Sequence, residues 1–356
     1  MTYEPVRVGL IGCGNIAETY LGNAPLFGDR FTIEAVADIN QAAADAAGDR
    51  YGLPAVSPDA LIVDPGIEAI LNLTVPRAHV PVALAAVEAG KHVYLEKPLG
   101  TSVAEAETLL ARARSRKLLV GAAPDTFLGA AHQTAQKLIR DGLLGDIVGG
   151  SAAIMDRGME SWHPNPDFFF ARGAGPVFDM GPYYLTSLIS LLGPVRDVSA
   201  FSSIGVKNRT VSKGPRIGDA IAIEVPTSVN AVLRFDGSVD VAFTASWDVW
   251  SHRRSHIEIY GTEGTLILPD PNWFGGALEV SIRGEPFHPV VDSQAPFGGE
   301  TRRLGDGSSV ADYRGLGLWE MAHAIRTGEP YRATGDLARQ VLVAMEALTA
   351  EDRVPI

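Results

Sequence analysis

Val6-Arg7-Val8-Gly9-Leu10-Ile11 runs directly into Gly12-Cys13-Gly14-Asn15-Ile16-Ala17, an apolar strand followed by a glycine turn and the start of a helix. A G-x-G-x-x-G/A turn in that context serves a dinucleotide. Gly12 permits the tight turn, Gly14 lets a pyrophosphate approach the backbone, and Ala17 lets the helix lie close to the sheet. The amino end of that helix favours the anion, which puts Asn15 and Ile16 beside it. Glycines after a strand also serve as ordinary turns, so the next acidic residue matters. Asp38 ends the apolar run Phe31–Asp38, where a carboxylate can accept from both adenosine ribose hydroxyls and repel a 2′-phosphate. Ile39 and Asn40 supply no cation for that phosphate. NAD is expected in preference to NADP.

Further strand-like runs follow at Ala69–Leu73, His92–Leu95 and Leu118–Gly121, separated by helical stretches. This alternation predicts an α/β amino-terminal domain, residues 1–124, built on a doubly wound parallel sheet of the Rossmann type. Ser102 with Glu105 three residues on announces a helix from Val103. After Pro124 the rhythm changes. Helical segments near Thr134–Arg140 and Tyr183–Leu192 give way to period-two strands, in which Val239, Val241, Phe243, Ala245 and Trp247 share one face. Ile257–Tyr260 and Thr265–Leu268 read as a hairpin across Gly261-Thr262-Glu263-Gly264, with glycines for positive φ. Residues 125–356 are therefore expected to form an α+β domain with a large, open, mainly antiparallel sheet. A homodimer or homotetramer through the open face is the expected assembly if that face is apolar. Gly284–Ser309 reads as a long loop, and helical pattern returns from Leu316 to Ala350 without indicating which domain it covers.

The 356 residues are 46% hydrophobic and carry a net charge of -12, enough apolar content for two domains and a field that repels nucleic acid. The one cysteine, Cys13, rules out an internal disulfide and a cysteine-based metal site, so no metal is expected. The start, Met1-Thr2-Tyr3-Glu4-Pro5, shows no export signal, and no eighteen-residue apolar run suggests a membrane span. A cytoplasmic location is the expectation.

Lys97 follows an apolar strand at the carboxyl edge of the predicted sheet, where ligands of doubly wound folds bind, and Pro98 restricts it. It reads either as a catalytic amine or as a surface lysine paired with Glu96. Asp179 and Tyr183 lie four apart, on one face of a helix that would begin there. They read either as functional groups or as a helix cap and a core aromatic. Glu160-Ser161-Trp162-His163-Pro164-Asn165-Pro166-Asp167 mixes an aromatic platform with hydrogen-bonding side chains. Trp162, His163 and Asn165 read either as sugar contacts or as part of a purely structural aromatic loop, and Asp125, after the last parallel strand, is a weaker candidate.

Val8–Ala17, Thr74-Val75-Pro76 with His79, Glu96-Lys97-Pro98, Gly173–Tyr184 and the hairpin Glu258–Gly264 resemble, in order, motifs of the glucose-fructose oxidoreductase / inositol dehydrogenase / MocA (Gfo/Idh/MocA) family. The resemblance spans most of the chain. It implies an oxidoreductase that moves a hydride between NAD(P) and a carbinol or carbonyl of a sugar, glycoside or polyol. It further implies Thr74, Pro76, His79, Glu96 and Lys97 at the cofactor, Lys97 as catalytic lysine, and Asp179 facing substrate. Many members carry histidine at the position of Tyr183. Branches similar to glucose-fructose oxidoreductase and the dimeric dihydrodiol dehydrogenases use tyrosine there as acid/base, so the inositol dehydrogenase branch fits less well. Two alternatives share the motifs: a glycosidase-like enzyme that retains its NAD, and a non-catalytic NAD-binding regulator. His252 and His256 have metal-pair spacing but no third ligand, and Asn72-Leu73-Thr74 matches a glycosylation acceptor at a buried strand end.

Overall fold

The computed structural model describes residues 3–290, 292 and 294–350. Met1 and Thr2 of the stretch read above for export, and Val291 and Ser293 of the predicted loop, lie outside it. The described residues form two compact units: Tyr3–Leu128 with Tyr313–Leu342, and Gly129–Asp312 with Val343–Ala350.

The first unit contains strands β1 (Val6–Ile11), β2 (Phe31–Ala37), β3 (Ala55–Val56), β4 (Ala69–Asn72), β5 (His92–Leu95) and β6 (Val120–Ala122). They form one sheet in the order β3-β2-β1-β4-β5-β6. Every neighbouring pair is parallel. Helices α1 (Asn15–Asn23), α2 (Gln41–Tyr51), α3 (Pro58–Val63), α4 (Pro76–Glu88) and α5 (Val103–Ser115) connect them. A parallel sheet covered on both sides needs nearly continuous apolar strands, and Val6, Val8, Leu10 and Ile11 are all buried. The strand order reverses between β1 and β4, and the crevice at their carboxyl ends is where such sheets bind ligands. The predicted cap of α5 is present: Ser102 accepts from the Glu105 amide at 3.3 Å. Glu105 bonds back to the Thr101 amide. The late segment Tyr313–Leu342 covers the β6 edge. The Ala122 amide donates to the Ala333 carbonyl at 3.1 Å, and Tyr331 Oη donates to the Val120 carbonyl at 2.8 Å.

The second unit begins with α6 (Ala130–Arg140), β7 (Ile147–Met155), α7 (Asp167–Phe170), α8 (Pro176–Asp179), α9 (Gly181–Leu192) and β8 (Val195–Ser203). The pairs β9 (Arg209–Thr210) with β10 (Ala220–Ile221) and β17 (Arg302–Arg303) with β18 (Ser309–Val310) are short ribbons. The main sheet adds β11 (Ser228–Phe235), β12 (Asp240–Ser246), β13 (Ile257–Gly261), β14 (Gly264–Leu268), β15 (Leu278–Ile282) and β16 (His288–Val290). Its order is β16-β15-β14-β13-β7-β12-β11-β8. Only β7 and β12 pair in parallel, so the sheet is mixed and mainly antiparallel. Helix α10 (Leu316–Thr327) belongs to the first unit, and α11 (Gly335–Thr349) follows it.

Val229, Leu233, Val241, Phe243, Ala245, Ile257, Ile259 and Leu266 line the buried face of this sheet, on which α6 and α9 lie, joined by His132 bonding Ser187 and Ser190. The opposite face is mixed. It exposes Phe201 and Val232 beside the pairs Arg234–Asp240 and Tyr260–Glu258. Three expectations need correction. Gly261 and Gly264 do not have positive φ; they are needed for close approach, since a Cβ on Gly261 would lie 2.1 Å from the Leu144 carbonyl oxygen. The loop after Gly284 carries β16, β17 and β18. The helix expected to begin at Asp179 is two helices, broken at Met180.

Candidate active site

At the carboxyl end of β1, Gly12 adopts φ +104°, and a Cβ there would lie 2.6 Å from the Leu73 backbone. The turn is thereby pressed onto the end of β4. A Cβ on Gly14 would meet nothing within 4 Å, and α1 starts immediately after it with no side chain capping its amino end. Free amides beside open space over a glycine suit a pyrophosphate. Asp38 accepts from the Cys13 amide through Oδ2 and from the Asn40 amide through Oδ1, both at 2.8 Å. Each oxygen keeps a lone pair for a ribose hydroxyl. These residues fit a dinucleotide. Burial first, and then the charge of Asp38, push the Cys13 thiol up to about 11, so it is no nucleophile.

Asn72 is fully buried, donating to the His79 carbonyl at 2.9 Å and accepting from Thr74, which closes it to glycosylation. His79 is 1% exposed. One ring nitrogen faces the Pro98 carbonyl at 2.6 Å and the other the Thr74 carbonyl at 2.9 Å. It ties the loop after β4, with Thr74 and Pro76, to the loop after β5. Burial pushes its pKa down. Glu96 accepts from Tyr20 Oη at 2.8 Å and from the Lys97 amide at 2.9 Å, and the Lys97–Pro98 bond is cis. The side chains of Glu96 and His79 are themselves enclosed, and each holds a loop at the carboxyl end of the sheet.

Asp125, expected as a weaker substrate contact, is enclosed. It is 1% exposed, and Oδ2 accepts from the amides of Gly315 and Gly317 at 3.0 and 2.9 Å, the amino end of α10. Burial raises its carboxyl to about 6. Enclosure and two backbone partners make it an anchor for the amino end of α10.

In the second unit Gly173 and Gly175 have positive φ, and the Asp179 amide donates to the Gly175 carbonyl at 3.0 Å. Asp179 ends α8, while Tyr183, 7% exposed, stands in the first turn of α9. Tyr184 is bonded to His256 Nδ1 at 2.6 Å. His252 instead contacts the Met155 carbonyl, so the two histidines serve separate partners. Trp162 is 52% exposed and packs edge-on against His163 and Phe169. Asn165 is exposed, its amide donating to His163 Nδ1 at 3.0 Å. The Gly175 amide bonds the Phe169 carbonyl at 2.9 Å, clipping this aromatic loop to the segment that carries Asp179.

Sequence reasoning missed Arg209. Its side chain is 2% exposed between Glu160 and Asp248, beside a cavity of about 190 Å³. Glu160 Oε2, Arg209 Nε and Trp247 Nε1, all from residues lining that cavity, are buried without a hydrogen-bond partner. The local run Val206-Lys207-Asn208-Arg209 reads as solvated loop and gives no signal of burial. Among the described residues there is no group of three or more His, Cys, Asp or Glu that could hold a metal. No described helix is long and apolar enough to cross a membrane.

A six-stranded parallel sheet with an open glycine turn at its switch point defines a dinucleotide-binding oxidoreductase domain. The family model "Oxidoreductase family, NAD-binding Rossmann fold" matches residues 6–123, and "GFO/IDH/MocA C-terminal domain" matches residues 132–267. The chain belongs to the Gfo/Idh/MocA oxidoreductase family. It is similar to trans-1,2-dihydrobenzene-1,2-diol dehydrogenase of Bos taurus, 26% identical over 285 residues, 79% of this chain and 78% of that one. It is also similar to 1,5-anhydro-D-fructose reductase of Ensifer adhaerens, 26% identical over 325 residues, 89% and 86% of the two chains. The crystal structure of an NAD binding oxidoreductase from Klebsiella pneumoniae superposes with TM-score 0.81 at 23% identity, over 97% of this chain and 96% of that one.

Proposed function

We propose that the protein is an NAD-dependent dehydrogenase of a sugar, glycoside or polyol. The observation that carries this reading is the succession of Asp179, at the end of α8, and Tyr183, in the first turn of α9, in a domain that the family model matches. In the oxidation direction Tyr183 accepts the hydroxyl proton and returns it in the reduction direction, and Lys97 is the catalytic lysine of the same reading. Asp179 orients a neighbouring hydroxyl. The nicotinamide, when bound, supplies the hydride acceptor.

Asp38 supports NAD over NADP, since a carboxylate just after β2 can accept from ribose hydroxyls and repel a 2′-phosphate. The names of the relatives, a diol dehydrogenase and an anhydrosugar reductase, support a polyhydroxylated substrate. Trp162, His163 and Asn165 are assigned to its binding. Assembly through the open sheet face, where Phe201 is 68% exposed, belongs to the same reading.

The test is a panel of aldoses, glycosides, inositols and diols assayed with NAD and with NADP, run beside Lys97→Ala and Tyr183→Phe. Loss of a positioned acid/base group should lower kcat roughly 10²- to 10⁴-fold in each variant. Unchanged turnover in both variants would overturn the assignment.

A further inference from the structure

Arg209 holds one turn from two sides. Nη1 donates to the Arg157 carbonyl at 3.1 Å and pairs with Glu160. Nη2 donates to the Trp247 carbonyl at 2.8 Å and to Asp248 Oδ1 at 2.5 Å, at the end of β12. Gly158, at φ +103°, packs so tightly that a Cβ there would lie 2.5 Å from Nη1. Ser212 Oγ adds a bond to the Glu160 carbonyl at 2.6 Å. Behind the guanidinium, Asp248 accepts from Thr227 Oγ1 at 2.8 Å and from the Gly205 amide at 3.2 Å. The clamp is thus rooted in the main sheet.

What it holds is the aromatic loop. The amides of Trp162 and His163 donate to the Met159 carbonyl at 3.3 and 2.9 Å, so both residues leave the clamped turn directly. A second connection runs through rings. Arg209 Cζ lies 5.2 Å from the centre of Phe170, Phe170 lies 5.4 Å from Trp247, and Trp247 lies 6.1 Å from Phe169. Phe169 in turn touches His163 and Trp162. A buried arginine between two carboxylates is a poor device for stability alone, because apolar packing does as well. Its planar fork is a good device for fixing several partners in one geometry.

We infer that Arg209 is the positioning residue of the loop Glu160–Asp167, holding Trp162 and His163 in the orientation that receives the substrate. This rests on the proposed function, in which those two residues face the sugar.

Two variants test it. Arg209→Lys keeps the charge and loses the fork; Glu160→Gln keeps the shape and weakens the pairing. Hydrogen exchange of the Trp162 and His163 amides should quicken roughly tenfold, while the amides of α9 stay as they are. With the best substrate of the panel, KM should rise roughly tenfold, while kcat and the KM for NAD change by less than about twofold. A merely structural role would instead quicken exchange in both segments and lower kcat along with it. If Arg209→Lys does not fold, Glu160→Gln carries the same readouts. Unchanged exchange at Trp162 and His163 in the folded variants overturns the inference, as does an unchanged KM. Should the wild-type protein turn over no member of the panel, the dehydrogenase reading falls, and the exchange measurement still decides whether Arg209 holds the loop.

Discussion

The carboxylate of Asp38 receives the backbone amide of Cys13 at 2.8 Å, so the residue read as the ribose acceptor also fastens the glycine turn. Asp38→Asn removes the charge while its amide oxygen can still accept from Cys13, with loss of the bond from the Asn40 amide. The ratio of kcat/KM for NAD to that for NADP should fall roughly tenfold, about 1.4 kcal/mol. An unchanged ratio would show that Asp38 does not discriminate the nucleotides.

Glu68 is bonded by Arg326 at 2.7 and 2.8 Å and by the Arg7 amide at 3.1 Å. The Arg326 bonds, aided by Arg7 and opposed by partial burial, draw its carboxyl down to about 2. A carboxyl depressed in the folded state gives stability that is present above its unfolded value and lost as pH falls through the folded one. Glu68→Gln should therefore cost about 1–3 kcal/mol at pH 7, with the loss shrinking between about pH 4.5 and pH 2. Urea titrations across that window measure it; an equal loss at both ends would refute the linkage.

For Asp125 the sign is opposite. Burial raises the folded carboxyl to about 6, so the folded state holds the proton more tightly and stability falls as pH rises from about 4 to about 6. The size is about 2–3 kcal/mol. In Asp125→Asn, which keeps an acceptor for Gly315 and Gly317, this decline should vanish from the pH dependence of urea unfolding. A slope equal to that of the wild type would contradict it.

Gly261→Ala would press a methyl group to 2.1 Å from the Leu144 carbonyl oxygen. Since φ there is not positive, the strain is purely steric. A loss of about 1–3 kcal/mol is expected by thermal or urea unfolding; a neutral substitution would mean that the Leu144 turn yields freely.

Local periodicity made β1, the glycine turn and the β13–β14 hairpin readable, because each is set by neighbours in sequence. Elements fixed by distant partners were not readable. The central strand β7 contains Gly149 and Gly150, which weaken any strand pattern, and it gains its place from β12 and β13. The helix break at Met180 did carry a local signal, since Gly181-Pro182 marks a turn and a new helix start. Asp125 was placed correctly after β6, yet its partners come some 190 residues later, which no local pattern records. The same is true of Arg209, whose carboxylates lie 49 residues before it and 39 after it.

The return of Tyr313–Leu342 to the edge of β6 has a consequence for biosynthesis. A nascent chain leaves the ribosome amino end first, and its leading domain ordinarily closes early. Here the cover of β6 is encoded by Tyr313–Leu342, after the segment that forms the large mixed sheet, so the edge of β6 gains that cover only once Tyr313–Leu342 has been translated.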